Sequence, residues 1–79
     1  MKTFELCNCN HKAIVNEFDD GSAELLSYGT KVATFAWGRM NRIEGQPQSN
    51  TTARHMREFA MLYGLPRMTK AELLRLPIA

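Results

Sequence analysis

The sequence is poor in the features that mark secreted, membrane-spanning or catalytic proteins. It holds only two cysteines, Cys7 and Cys9, and no stretch approaches the roughly 20 apolar residues that a transmembrane helix requires. The first ten residues, MKTFELCNCN, lack the apolar run of a signal peptide. No glycine-rich phosphate loop, G-x-S-x-G or H-E-x-x-H motif occurs. These absences predict a cytoplasmic protein without a membrane segment, and they argue against an enzyme.

The length and the charge of the chain limit the number of domains and the kinds of partner that we expect. The chain has 79 residues, of which 44% are hydrophobic, and this is enough for one small domain with a modest core. The net charge of +2 is uneven, because residues 1–30 carry two lysines against five acidic residues, whereas residues 31–79 carry eight basic residues against three acidic ones. We therefore expect a single domain over residues 1–79. A basic C-terminal part favours nucleic acid or an acidic protein surface, although surface charge also serves solubility alone.

The first half of the chain contains a strong hairpin signal. Two runs that are rich in β-branched, aromatic and leucine side chains flank the segment DDGS. Asp-Gly predicts a hairpin at this point, since glycine accepts the positive φ of tight turns. A two-residue loop at Asp20-Gly21 sets Glu17 opposite Glu24, which is unfavourable, so we favour a longer loop with Gly21 at a bulge. The two runs cover residues 12–18 and 23–30.

Two more strands follow this hairpin. Residues 31–37, KVATFAW, alternate in part, with Ala33, Phe35 and Trp37 on one face. Both faces are mostly apolar, which predicts the most buried strand of the sheet. Residues 39–44 are predicted to return as a polar edge strand.

An apolar stripe with end signals predicts a helix over residues 51–63. Asn50 or Thr51 is suited to cap its free N–H groups, and Gly64 is suited to end it in the left-handed conformation. The stripe follows the helical period and places its side chains on one face. Its members are Ala53, Met56, Phe59, Ala60 and Tyr63.

A second, shorter helix is predicted over residues 70–75. Thr69 and Glu72 have the spacing of a capping box, and Pro77 stops the chain from continuing as a helix. Strands therefore come first and helices second, an order typical of an α+β fold. We predict a three- to four-stranded antiparallel β-meander within residues 1–44, covered on one face by the two helices.

The segment CNCNH is the most suggestive cluster of metal ligands. Cys7, Cys9 and His11 are all zinc-ligating residue types, and His55 is a possible fourth ligand. Zinc usually takes the tighter wrap of C-x2-C, however, and two cysteines at i and i+2 are strained as a disulfide. We interpret the segment as reduced cysteines on a strand, with zinc and a redox role as alternatives, and we predict no metal and no cofactor.

His55 lies beside the apolar stripe of the first helix. A histidine at such a boundary usually forms a hydrogen bond with a nearby carbonyl or hydroxyl and fixes the helix against the sheet. We therefore predict a structural lock formed by Thr51, Thr52 and His55. Catalysis needs a nucleophile or a second acid–base group within reach, and none stands at a recognisable spacing. We predict no catalytic residue and no small-molecule substrate.

Arginines and two aromatic residues form the candidate binding surface. Arg54 and Arg57 point away from the apolar stripe, and cations beside aromatic rings are typical of single-strand or RNA binding. The alternative is that Trp37 and Tyr63 belong to the core. The candidate binding residues are Arg39, Arg42, Arg54, Arg57, Trp37 and Tyr63, with Arg67, Lys70 and Arg75 near the ends of neighbouring elements.

Two segments, LLSYGTKVATF and SNTTARHMREF, resemble a group of small phage and mobile-element proteins of unknown function. In that group a SYGT-x-(V/I)A strand is followed by TT-x-(R/K)H at the start of a helix, with an aromatic residue soon after. The resemblance covers about half of the chain, and it implies a phage, prophage or bacterial origin and a cytoplasmic setting, but no activity or ligand. The matching residues are Ser27, Tyr28, Gly29, Thr30, Val32 and Ala33, then Thr51, Thr52, Arg54, His55 and Phe59.

Two functions compete on this sequence. The first is a protein-interaction module that binds a host protein or a second copy of itself, as indicated by the small size and five methionines. The second is a nucleic-acid-binding accessory protein that uses the basic helix face. We favour the first, because so slight a basic excess neutralises few phosphates.

Overall fold

A computed structural model describes residues 1–6 and 12–79, in which five strands are followed by two helices. The α+β class is confirmed, but the prediction of three to four strands was one short. The missed strand is β1, whose four residues KTFE carry too little alternation to mark a strand by sequence. The elements are β1 (Lys2–Glu5), β2 (Ala13–Glu17), β3 (Ala23–Ser27), β4 (Thr30–Ala36), β5 (Arg39–Arg42), α1 (Asn50–Leu62) and α2 (Lys70–Leu73).

The strands form an antiparallel meander in which each strand pairs with the next one along the chain. The first hairpin has the longer loop, because Glu17 pairs with Ala23 and Phe18 N–H donates to Ser22 O at 2.8 Å. Gly21 takes a φ of +90°, as the bulged loop requires. The loop therefore removes the repulsion between Glu17 and Glu24 that a two-residue turn creates.

One face of the sheet is covered by the helices. Val15, Leu25 and Ala33 are cross-strand neighbours on this face, and all three are completely buried. The opposite face is more polar, since Thr3 Oγ1 donates to Asn16 Oδ1 and Asn16 Nδ2 donates to Glu24 Oε2. The core cluster consists of Leu6, Ala13, Val15, Ala23, Leu25, Val32, Ala33, Met40, Ala53, Met56, Phe59, Ala60 and Leu73.

Both ends of α1 are capped within the chain. The N-cap is Ser49, whose Oγ accepts from Thr52 N–H at 3.1 Å, and not Asn50 or Thr51 as predicted. Serine takes the position because its extended backbone (φ −145°, ψ 167°) directs Oγ at that N–H group. At the other end, the N–H of Gly64 (φ +78°) donates to Met61 O. The predicted glycine stop is confirmed.

The capping box of α2 is also confirmed, since Glu72 N–H donates to Thr69 Oγ1 and Thr69 N–H donates to Glu72 Oε1. The helix itself ends earlier than predicted, at Leu73, which is completely buried. The chain then returns to β5 and pairs with it in parallel at Arg42 and Ile78. Neither helix of the described residues is long and apolar enough to cross a membrane.

Strand β4 is bounded by two-residue turns, Tyr28-Gly29 and Trp37-Gly38. All four turn residues have a positive φ, as in type I′ hairpin turns. Trp37 is therefore a turn residue, and its predicted place on the face of a strand was wrong. The reason is that the alternation ends one residue earlier, where Ala36 pairs with Arg39.

Candidate functional site

The structure divides the predicted binding residues among separate parts of the molecule. Arg54 and Arg57 line clefts beside the helices, whereas Arg39 lines a groove at β5. Trp37 lies in a turn, and Arg42 and Tyr63 take part in internal hydrogen bonds. The predicted binding residues therefore do not form one surface. Three of the arginines line hollows near the helices or β5, whereas the exposed Trp37 ring lines none of these hollows.

A basic cleft lies between α1, the segment after it and α2. It has a volume of about 420 Å³ and is lined by Arg57, Arg67, Met68, Thr69 and Lys70. In the described part of the chain, neither Arg57, Arg67 nor Lys70 forms an ion pair. A second hollow of about 220 Å³, which includes Arg54 and Glu58, shares Arg57 and Arg67 with this cleft. The arrangement concentrates positive charge on one side of the helical layer, where an anionic group is attracted.

An apolar groove adjoins the basic cleft. Its volume is about 280 Å³, and Met68 lines both hollows. The groove forms because the chain leaves α1 through Leu65 and Pro66, then returns past β5 after α2. It is lined by Arg39, Met40, Leu65, Pro66, Met68, Leu76 and Pro77. Apolar side chains that line an open groove are typical of a surface that binds another apolar group.

Trp37 is the most exposed large hydrophobic residue in the described part of the chain. Its side chain is 91% exposed, and no other ring of the described residues stacks on it. It does not line the basic cleft or the apolar groove. Trp37 is therefore not a core residue.

Tyr63 and Arg42 have structural roles. The Tyr63 ring stacks on Phe35 at a centroid distance of 4.4 Å, and its hydroxyl donates to Glu17 Oε2 at 2.6 Å. Burial and the Glu17 carboxylate raise the pKa of Tyr63 well above its ordinary value. Arg42 Nε donates to the carbonyl of Leu76 at 3.1 Å and thereby joins β5 to the returning chain. Both side chains thus form hydrogen bonds with other parts of the chain.

His55 joins α1 to β3. Its Nδ1 lies 2.7 Å from Ser27 Oγ in a buried hydrogen bond, and its ring centroid lies 5.7 Å from that of Tyr28. Burial, followed by the positive charge of Arg54, lowers the pKa of His55 below its ordinary value, so the imidazole is neutral at pH 7. Of the two threonines predicted to act with His55, Thr52 is buried beside the N-cap and Thr51 is exposed.

A small polar cavity lies next to this hydrogen bond. It has a volume of about 200 Å³, and it is bounded by the Tyr28-Gly29 turn, the loop before α1 and the first turn of α1. The described residues that line it have uncharged side chains. The lining residues are Ser27, Tyr28, Thr30, Val32, Gln46, Gln48 and Thr52.

The predicted metal-ligand segment, Cys7 to His11, lies outside the described residues. Within residues 1–6 and 12–79, no three histidine, cysteine, aspartate or glutamate residues are grouped so as to hold a metal ion. His55 contacts Ser27 and Tyr28, as described above.

Sequence reasoning missed several residues that line the hollows. Gln46 and Gln48 follow a glycine in a loop without periodicity, and Leu65 and Met68 follow the end of α1. No local pattern marks such positions, because their neighbours come from other elements. The one available signal was the polar, proline-containing stretch GQPQS between the sheet and α1.

A protein-family model matches residues 2–75, and its description is "Family of unknown function (DUF8033)". No curated protein and no solved structure matches the chain.

Proposed function

We propose a function for this chain from its geometry, since it belongs to DUF8033, a family of unknown function. The proposed function is that of a small protein-interaction module. It binds a segment of another protein that carries acidic and bulky apolar side chains close together.

The observation that carries this proposal is the shared wall of the two clefts. Met68 lines the apolar groove on one side and the basic cleft on the other. A single extended segment is therefore able to place an apolar side chain in the groove and a carboxylate beside Arg67 and Lys70. Methionine suits such a wall, because its flexible thioether adapts to different apolar groups.

The distribution of charge supports an acidic partner. Residues 50–79 carry five basic residues against two acidic ones, whereas residues 1–49 carry five basic residues against six acidic ones. Residues 50–79 thus have a net charge of +3, whereas residues 1–49 have a net charge of −1. Charge complementarity raises the rate of encounter with an acidic segment and disfavours basic ones.

The proposal includes the setting that the phage resemblance implies. The partner is then a host protein met in the cytoplasm, and the module acts by binding and not by catalysis. A second copy of this chain is the other protein partner that we consider.

Nucleic-acid binding is the second candidate function. The observation that favours it is the presence of Arg57, Arg67 and Lys70 around one cleft, where they are available to neutralise phosphates. Binding of this kind weakens steeply with salt, because phosphate neutralisation releases counterions. The affinity for an apolar side chain in the groove depends much less on the salt concentration.

The test uses three short fluorescent peptides of equal length: one of glutamate and leucine, one of glutamine and leucine, and one of glutamate and serine. We expect the first to bind most tightly in fluorescence anisotropy. Met68→Glu is expected to weaken binding of the glutamate–leucine peptide, because it places a charge in the shared wall. Arg67→Ala is also expected to weaken it, whereas the control Arg75→Ala, which lines neither cleft, leaves it unchanged.

Equal binding of all three peptides, or an unchanged affinity of Met68→Glu, contradicts the proposal. A single-stranded oligonucleotide titrated at several salt concentrations tests the second candidate. Binding that falls steeply with salt and is lost in Arg67→Ala favours nucleic acid. A mass that rises with concentration in sedimentation shows that the partner is a second copy.

A further inference from the structure

The polar cavity beside Tyr28 has no part in the proposed protein interaction. It lies beside the N-terminal end of α1, whereas the basic cleft and the apolar groove involve the segment that follows α1. In the part of the chain that the structure describes, the residues that line it include no arginine, lysine, aspartate or glutamate. These residues therefore favour an uncharged polar ligand over a phosphate or a carboxylate.

Gln46 is the unusual side chain of this cavity. The residue exposes only 9% of its surface, yet its side-chain amide forms no hydrogen bond within the described residues. No buried side-chain nitrogen or oxygen atom of the described residues lacks a hydrogen-bond partner, so the unbonded amide atoms of Gln46 are accessible from the cavity and not sealed in the core. Since Gln46 lines the cavity, its amide presents an N–H donor and a carbonyl acceptor to whatever enters there.

The neighbouring hydroxyls are held in fixed positions. Ser27 Oγ is bonded to His55 Nδ1 at 2.7 Å, and Thr52 Oγ1 accepts from Ser49 Oγ at 3.2 Å. These bonds leave the Thr52 proton and at least one lone pair of Ser27 Oγ for further contacts. The cavity therefore offers several uncharged hydrogen-bonding groups in a rigid arrangement.

Tyr28 forms the rim of the cavity. Its side chain is 61% exposed, although one side of the ring packs near His55 at a centroid distance of 5.7 Å. The ring is held in a turn with a φ of +53°, a conformation that few residues of this size adopt. Trp37 has a similar φ of +56°, so the position of the Tyr28 ring beside α1, and not its backbone angle, distinguishes this site.

We propose that this cavity binds a nucleobase, with its face stacked on Tyr28 and its hydrogen-bonding edge directed at the Gln46 amide. A base is planar and uncharged, and it carries adjacent donors and acceptors along one edge. Glutamine forms paired hydrogen bonds with such an edge, and unstacked bases commonly stack on aromatic side chains. The inference is independent of the proposed function.

The size of the cavity fits the same ligand class. Its volume of about 200 Å³ lies below the roughly 300–1,000 Å³ of sites for drug-sized molecules. A single base suits this space, and its sugar then extends past Tyr28 into solvent. Two sources share this chemistry, namely a free nucleoside and one base of a single-stranded nucleic acid.

The experiment is an NMR titration of the full chain, labelled with ¹⁵N, with each of the four ribonucleosides in turn. We expect at least one nucleoside to shift the side-chain NH₂ signals of Gln46 and the backbone signals of Tyr28 and Thr30. Signals of Met68 and Lys70 are expected to stay in place. If no nucleoside shifts Gln46, or if the shifts fall elsewhere, the proposal is overturned.

Two variants separate binding from folding. Gln46→Leu removes the paired hydrogen bonds and is expected to weaken binding about tenfold. Tyr28→Asn removes the stacking ring, yet asparagine is favoured at this turn position, so the fold is retained. The control Asn41→Leu removes an amide from β5, at a position that does not line the cavity, and is expected to bind normally. Unchanged affinity in either Gln46→Leu or Tyr28→Asn overturns the proposal.

The source of the base is tested with a single-stranded oligonucleotide of the preferred base. If it binds more tightly than the nucleoside and its affinity falls with salt, the base comes from a nucleic acid. If the two bind equally, the ligand is a free nucleoside. In both cases Gln46→Leu must weaken binding, or the cavity is not the site.

Discussion

The two turns that bound β4 have similar backbone conformations and different surroundings. Tyr28-Gly29 lies against α1, where the Tyr28 ring packs near His55 beside the polar cavity. Trp37-Gly38 carries a ring that is 91% exposed and stacks on no other ring of the described residues. An aromatic residue before glycine therefore forms a local turn in both places. Only the Tyr28-Gly29 turn borders a cavity, because the helix α1 lies next to it.

Removal of the His55 side chain, at the Tyr28-Gly29 end of β4, is expected to destabilise the protein most. His55→Ala leaves a cavity in the core and deprives the buried Ser27 hydroxyl of its partner. We expect a loss of about 3 kcal/mol in the free energy of unfolding, measured by urea denaturation. Trp37→Ala, which removes a larger side chain from the exposed turn, serves as the contrast and should change stability by less than about 0.5 kcal/mol. Similar losses in the two variants would contradict the assigned difference.

Protonation of His55 should lower the free energy of unfolding of the protein. Because burial and Arg54 lower the pKa of His55 in the fold, the unfolded chain binds the proton more readily. Stability from this group is therefore complete above the unfolded value of about 6.5 and is lost as pH falls toward the folded pKa. A single proton limits the slope to about 1.4 kcal/mol per pH unit.

Urea denaturation between pH 8 and pH 5 tests this dependence. His55→Gln should make the free energy of unfolding less dependent on pH, whereas His11→Gln, which changes the other histidine of the chain, should leave that dependence unchanged. A slope that His55→Gln leaves unaltered would show that other groups cause it.

The glycines of the two turns should be equally sensitive to substitution. Gly29 and Gly38 have φ values of +81° and +74°, and an added Cβ meets no atom within 4 Å at either position. The cost of alanine is therefore backbone strain alone, about 1 kcal/mol at each turn. Paired thermal denaturation of Gly29→Ala and Gly38→Ala measures it. A much larger loss at Gly29 would indicate that the α1 end is more tightly constrained than its backbone suggests.

The smallest effect is expected when asparagine replaces the aromatic residue. Trp37→Asn creates the Asn-Gly pair that type I′ turns favour, and it should raise the free energy of unfolding by about 0.5 kcal/mol. Tyr28→Asn should raise the free energy of unfolding by less, because it also removes the ring contact with His55. Urea denaturation of both variants measures the difference. A larger gain at Tyr28 would mean that its ring contributes nothing to stability.

Where a local rule acts alone, the sequence was enough to predict the structure. The capping box of Thr69 and Glu72, the glycine stop at Gly64 and the Asp20-Gly21 loop all depend on neighbours in the chain. The α+β class followed from the order of these elements. The N-cap was misplaced by one or two positions, because Ser49, Asn50 and Thr51 all have capping side chains and tertiary packing selects among them.

Features that depend on distant neighbours were missed. Trp37 continued an apolar alternation, and an aromatic residue at positive φ is not a turn signal, so sequence reasoning kept it in the strand. The unpartnered amide of Gln46 becomes visible only when the loop is placed against Tyr28 and Thr52. The shared wall at Met68 likewise exists because β5 and the returning chain meet the segment after α1.

The meander order of the strands has a consequence for folding kinetics. Each strand pairs with the one before it, so the sheet forms through short loop closures, a topology associated with rapid folding. The hydrogen bond between Ser27 and His55 joins residues 28 positions apart, and its closure carries a larger entropic cost. We expect this bond to form after the folding transition state. Its loss should then accelerate unfolding and leave the folding rate nearly unchanged.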